Sequence, residues 1–199
     1  MARRRLIPFA LVCWVACAVT GFVLLADHAT QPGETLVTPS VWPAKAPFTA
    51  PDERGTLLVI AHPQCPCTRA TLAELSSALR GNTSPPRIEV VLMATQEGLP
   101  LALRGDLDAR IGALPDAHVI LDPGARDAKQ FGALTSGHVL LYAADGTLRF
   151  SGGITGSRGH EGGNAARFAL TEALASLSLA LSDPQVAPVY GCPLADPTS

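Results

Sequence analysis

Thr56-Leu57-Leu58-Val59-Ile60-Ala61-His62-Pro63-Gln64-Cys65-Pro66-Cys67-Thr68-Arg69-Ala70-Thr71-Leu72 is the stretch that decides how this chain is read. Its first six residues form an apolar run suited to a buried strand. Ala70, Leu72, Leu75 and Leu79 then recur at helical spacing over residues 68–80, and Gly81-Asn82 supplies a helix stop. Two cysteines around a proline therefore stand where a strand gives way to a helix. A thiolate there meets unpaired backbone N–H groups and the positive end of the helix dipole, both of which favour the anion. Cysteines one residue apart can also hold a soft metal ion. The motif raises a redox question and a metal question together.

Outward from this junction the chain divides by composition. Residues 1–5 are a basic end, with Arg3-Arg4-Arg5, and residues 6–26 carry no charge. That length suits a single bilayer-crossing helix, and arginines before it with Asp27 after it put the N-terminus in the cytoplasm. A cleaved signal peptide is the competing reading, but the apolar run is long for one and lacks a small-residue cleavage pattern. Cys13 and Cys17 fall inside the span and read as packing residues. Residues 27–54 hold Pro32, Pro39, Pro43, Pro47 and Pro51 and read as an extended tether, with Trp42 and Phe48 available to dock back. Net charge is −2 and no basic patch interleaves with aromatics, which argues against a nucleic-acid partner. Three cysteines lie beyond the span, too few for a disulfide scaffold and odd in number, so one thiol needs explaining.

The domain is expected over residues 55–181. After the Pro85-Pro86 break a second strand runs from Ile88 to Met93, completing a right-handed parallel βαβ unit. A helix over 99–114, a short strand at 118–121 and a short helix from Ala125 to Phe131 follow. His138–Tyr142 and Thr147–Phe150 form a hairpin through Asp145-Gly146. A glycine-dense loop over 152–163 leads to a last helix, Ala165 to Leu181, with Asn164 as its N-cap. Residues 182–199 read as an irregular tail.

This order of elements resembles the thioredoxin fold: an α/β architecture with a mixed central sheet flanked by helices, here with an αβ insertion and behind a single transmembrane helix. The insertion is similar to that of membrane-anchored, TlpA-like members. His62-Pro63-Gln64-Cys65-Pro66-Cys67, the Thr135-Ser136-Gly137 turn and the Gly156-Ser157-Arg158-Gly159-His160-Glu161-Gly162 loop resemble the RedB-like group. The resemblance implies a thiol–disulfide oxidoreductase acting on protein thiols and disulfides through Cys65 and Cys67, the more exposed one attacking and the other resolving, with no required cofactor. It also implies a bacterial inner-membrane anchor, a periplasmic domain and clients in cytochrome or respiratory oxidase assembly. Two departures from the pattern stand out. The cysteine spacing is one residue shorter than usual, and counting back from Glu74 and Leu75 puts Cys65 at the second family cysteine and His62 at the first. Gly137 occupies the place of a proline that in the family shields the thiols from metal.

The topology puts Ser136, Gly137 and the glycine loop beside Cys65, Pro66 and Cys67. Arg158 would support a thiolate there, and His160 or Glu161 would move protons. Copper(I) is the rival ligand, on Cys65 and Cys67 with His62 or His160 as third donor. Cys192 stands as a resolving thiol, a metal ligand or a structural anchor, since about ten extended residues reach roughly 33 Å, enough to return from the last helix. His138 and His118 read as ordinary strand histidines. A non-catalytic interaction domain is the remaining alternative.

Overall fold

The computed structural model describes residues 2–94, 106–179 and 183–194, in two compact units, Met1–Gln31 and Pro32–Ser199. The first unit is one helix, α1 (Ala2–Thr30), whose stretch Pro8–Thr30 is long and apolar enough to cross a membrane.

The second unit is built on a six-stranded sheet. Its strands are β1 (Thr56–Ala61), β2 (Arg87–Ala94), β3 (Ala117–Pro123), β4 (His138–Tyr142), β5 (Leu148–Gly152) and β6 (Gln185–Val186), in spatial order β3-β2-β1-β4-β5-β6. Strands β2 and β3 run parallel to β1, while β4 is antiparallel to it and β5 antiparallel to β4. The helices are α2 (Pro66–Ala78), α3 (Asp106–Gly112), α4 (Arg126–Gln130) and α5 (Ala165–Ala175). This is a thioredoxin-like fold. The short strand β6, which pairs parallel to β5 through Phe150 and Gln185, has no counterpart in the sequence reading.

Alternation along β1 explains why the whole run is apolar. Leu57 and Val59 face one side and Leu58 and Ile60 the other, and both sides are covered. On the first face Leu72 and Leu75 of α2 and Leu170 and Leu174 of α5 close over Val90, Leu141 and Phe150. Full burial of each such side chain contributes about 1.5–3 kcal/mol before entropy is counted. On the second face Phe131 and Tyr142 meet Trp42, with ring centroids 5.0 and 5.1 Å away, and Phe48 stacks on Phe131.

These contacts change the reading of the proline-rich segment. Residues 27–30 belong to α1, and 32–54, expected as a tether, lie along the second unit as an extended strap. Leu36 N–H donates to Gly132 O, Trp42 N–H to Gly146 O, and Leu148 N–H to Ser40 O. The Tyr142 hydroxyl donates to Pro39 O at 2.9 Å. Prolines keep the strap extended while the residues between them supply backbone partners and two rings.

The helix expected over 99–114 is present from Asp106 to Gly112; residues 99–105 lie outside the described residues. The last helix ends at Ala175, six residues earlier than expected, and 180–182 also lie outside the description. Asn164 caps it as the sequence suggests, accepting from Arg167 N–H at 3.0 Å.

Candidate functional site

The chain leaves β1 at Ala61 and makes one tight turn before α2. Thr68 fastens that turn: its hydroxyl donates to His62 O at 2.9 Å and accepts from His62 N–H at 3.0 Å. Cys65 is the N-cap, in extended conformation and with no side-chain cap of its own, and Pro66 opens the helix where a missing N–H costs nothing. Cys65 and Cys67 are both buried, 2% and 1% exposed, although Pro66 between them faces solvent.

The third sulfur comes from the far end of the chain. The Cys65 and Cys192 Sγ atoms stand 2.7 Å apart, and Cys65, Cys67 and Cys192 all lie within 4.8 Å of one another. A formed disulfide measures about 2.05 Å, so Cys65 and Cys192 are already side by side for bond formation. The return of the tail is built from backbone pairing. Ala187 N–H donates to Ser151 O, Leu194 N–H to Leu134 O, and Ser136 N–H to Cys192 O at 2.9 Å, while Thr135 and Pro193 form an antiparallel bridge. Arg158 Nη1 donates to Gly191 O. Gly191 allows this approach, because a Cβ there would collide with the Ser136 carbonyl oxygen.

The cluster is electrostatically uneven. The Cys65 thiol is held far below its ordinary range, at about 4, first by the hydrogen bond that Cys67 donates to it. The Cys192 thiol and N–H and the Ser136 hydroxyl add to that effect, against burial. Cys67 is pushed strongly upward, first because it donates to Cys65 and then by burial, although Gly159 N–H favours its anion. Cys192 rises to about 11, chiefly through burial and then through its bond to Cys65, with Arg158 pulling the other way. One sulfur of the three thus carries the negative charge, at a helix N-terminus.

Around the sulfurs, Ser136 is fully buried and its hydroxyl accepts from Cys192 N–H at 3.3 Å. Gly137 has φ +85°, and a side chain there would press on Thr71 Oγ1 at 2.8 Å. Gly159 packs over Pro66, where a Cβ would lie 3.6 Å from the proline Cβ. Neither of the two histidines expected as third ligand joins the sulfur group. His62 Nδ1 accepts from Gln64 N–H at 3.2 Å and His160 is exposed. Among the described residues the group able to hold a metal contains three cysteines and no histidine. Glu161, expected to shuttle protons, is exposed and paired with Arg110 at 2.9 Å. His138 is a buried strand histidine, bonded to Ser151 Oγ at 3.0 Å and held neutral by burial, with its pKa lowered to about 4.

Glu74 has a part in the site beyond marking the register of α2. It is 3% exposed, accepts from Gly162 N–H at 2.6 Å and pairs with Arg167 at 2.8 Å. It therefore ties the glycine loop to α2 and α5 from below. An acid among Leu72, Leu75 and Ala78, on the face a helix buries, was the signal available in the sequence.

The sequence matches no protein family and no curated protein. Among solved structures it is similar to an uncharacterized conserved protein from Geobacillus kaustophilus, with TM-score 0.62 and 15% identity over 85% of this chain and 98% of that one. A hypothetical protein, SMc02350 from Sinorhizobium meliloti, gives TM-score 0.52 and 19% identity over 81% and 97%. The dsbF protein of MTB, solved in mixed oxidized and reduced forms, gives TM-score 0.45 and 13% identity over 68% and 98%. At these identities the first two likenesses establish a shared fold and no more, and the strand order of this chain makes that fold thioredoxin-like.

Proposed function

We propose that the protein is a thiol–disulfide oxidoreductase for protein partners, with Cys65 as the attacking thiolate and Cys192 as the resolving thiol. The observation that carries this reading is the 2.7 Å approach of the Cys65 and Cys192 sulfurs. Cys65 attacks a substrate disulfide, forming a mixed disulfide and releasing one substrate thiolate. Cys192 then loses its proton and attacks the Cys65 sulfur, forming the Cys65–Cys192 bond and releasing the second substrate thiolate. Two electrons pass from the domain to the substrate, and the reverse sequence oxidises a dithiol. Cys67 acts as a donor to the Cys65 thiolate; a direct Cys65–Cys67 bond would close a small, strained ring.

The N-terminal helix and the charge beside it support a location for the domain. A span of 8–30 with Arg3-Arg4-Arg5 on its cytoplasmic side supports an anchor in the bacterial inner membrane and a domain in the periplasm. Reduced protein mixed with a disulfide-bridged test peptide, quenched with an alkylating agent and mapped by mass, tests the roles. Cys192→Ser should accumulate the Cys65 mixed disulfide while Cys67→Ser clears it. Accumulation in Cys67→Ser alone would assign resolution to Cys67, and no mixed disulfide in either variant would remove the exchange reading.

A further inference from the structure

We propose that Cys65, Cys67 and Cys192 together form a three-thiolate site for monovalent copper, available only while all three are reduced. The inference uses the sulfurs of the exchange reading but does not depend on exchange occurring. Three sulfur donors converge here from two distant parts of the sequence, within 4.8 Å of one another. Metal–thiolate bonds of about 2.3 Å place three sulfurs around a planar ion about 4 Å apart. The cluster meets that spacing once Cys192, on an irregular segment, opens from Cys65 by about 1.3 Å.

The donor set selects the ion. Thiolates favour soft cations, and closed zinc sites take four ligands. No histidine or carboxylate joins the three sulfurs among the described residues. The nearest imidazole in sequence, His62, already accepts a backbone hydrogen bond through Nδ1. Cys65 and Cys67 are almost fully buried, which shelters a cuprous ion from water and oxidant. Binding moves no electrons: a cuprous ion enters from a weak complex, the Cys67 and Cys192 protons leave to solvent, and three metal–sulfur bonds form. The resulting negative charge sits at the N-terminus of the thirteen-residue helix α2 and beside Arg158, whose guanidinium is bonded to the residue preceding Cys192. Forming the Cys65–Cys192 disulfide removes two of the three ligands and expels the ion.

The test uses the full chain in detergent, reduced and free of oxygen, with Cys13→Ser and Cys17→Ser to silence the thiols of α1. Titration with cuprous ion against a chromophoric chelator should give one bound equivalent, with three sulfur scatterers at about 2.3 Å by X-ray absorption. Cys67→Ser and Cys192→Ser should each weaken binding by about 100-fold or more, while His62→Ala and His160→Ala leave it unchanged. Retention of full affinity in Cys192→Ser, loss of affinity in either histidine variant, or absence of a bound equivalent would overturn the proposal. Peptide-disulfide turnover by the same metal-free sample reads the exchange reaction separately, so either idea can fail alone.

Discussion

The strand–helix junction and the C-terminal tail deliver sulfur to the same cluster by opposite routes. At the junction everything is local: an apolar strand, a turn fastened by Thr68, an N-capping cysteine and a proline at the first helical position. In the tail nothing is local, and Cys192 arrives because three backbone hydrogen bonds and one glycine hold residues 187–194 against 134–136 and 151. The junction favours a thiolate, and the tail brings a second sulfur to 2.7 Å from it. Chemistry of one part depends on the fold of the other.

The contrast can be broken at three points, in descending order of effect. Cys65→Ser should lower exchange with a peptide disulfide by about 10³-fold or more, because a serine hydroxyl is no nucleophile without a base. Single-turnover kinetics check this; a smaller loss would mean that the tail thiol reacts without the junction. Next, the two regions should differ in pH response. With its pKa lowered to about 4, Cys65 is already thiolate through neutral pH, so its alkylation rate should be flat between pH 6 and 8. Cys192, raised to about 11, should react about 100-fold faster at pH 8 than at pH 6, the thiolate fraction growing tenfold per pH step. Mass-resolved alkylation rates settle it, and a Cys65 profile that bends near pH 8–9 would show that Cys67 and Cys192 donate nothing to it. Last, Gly191→Ala forces the tail away from Ser136 and should cost about 1–3 kcal/mol, with a roughly tenfold slower closure of the Cys65–Cys192 bond. Unchanged closure would mean that the tail's placement is not what readies Cys192.

The same contrast explains what was legible beforehand. β1, α2, β2 and the β4–β5 hairpin are written in apolar periodicity and turn residues close in sequence, so their bounds were readable to within a few positions. Asn164 was readable as a cap for the same reason. The tail was not, because Gln185 and Val186 are exposed and carry no periodic signal; their strand exists only through Phe150 and Ser151 of β5. His62 and His160 were attractive as third ligands because they are near Cys65 in sequence or loop topology; Cys192 was a candidate as well, without a local signal of where the tail returns, and it is the residue that joins the pair. Gly191-Cys192-Pro193 did hold a hint, a lone thiol flanked by a residue without a Cβ and a residue without an N–H. The strap was half legible: Trp42 and Phe48 announced docking, but the backbone contacts of Leu36 and Ser40 depend on where the fold places Gly132 and Leu148.

The turn at Thr135 and Ser136 is clasped from both sides, by Glu34 O accepting from the Thr135 hydroxyl and by Cys192 and Pro193 from the tail. Those clasps join residues about a hundred positions upstream and more than fifty downstream. Contacts of such separation form late, after local helices and hairpins. Cys192 also leaves the ribosome 127 residues behind Cys65. A chain emerging from the ribosome therefore presents Cys65 and Cys67 for a time without their third partner, and the cluster is completed as one of the final events of its maturation.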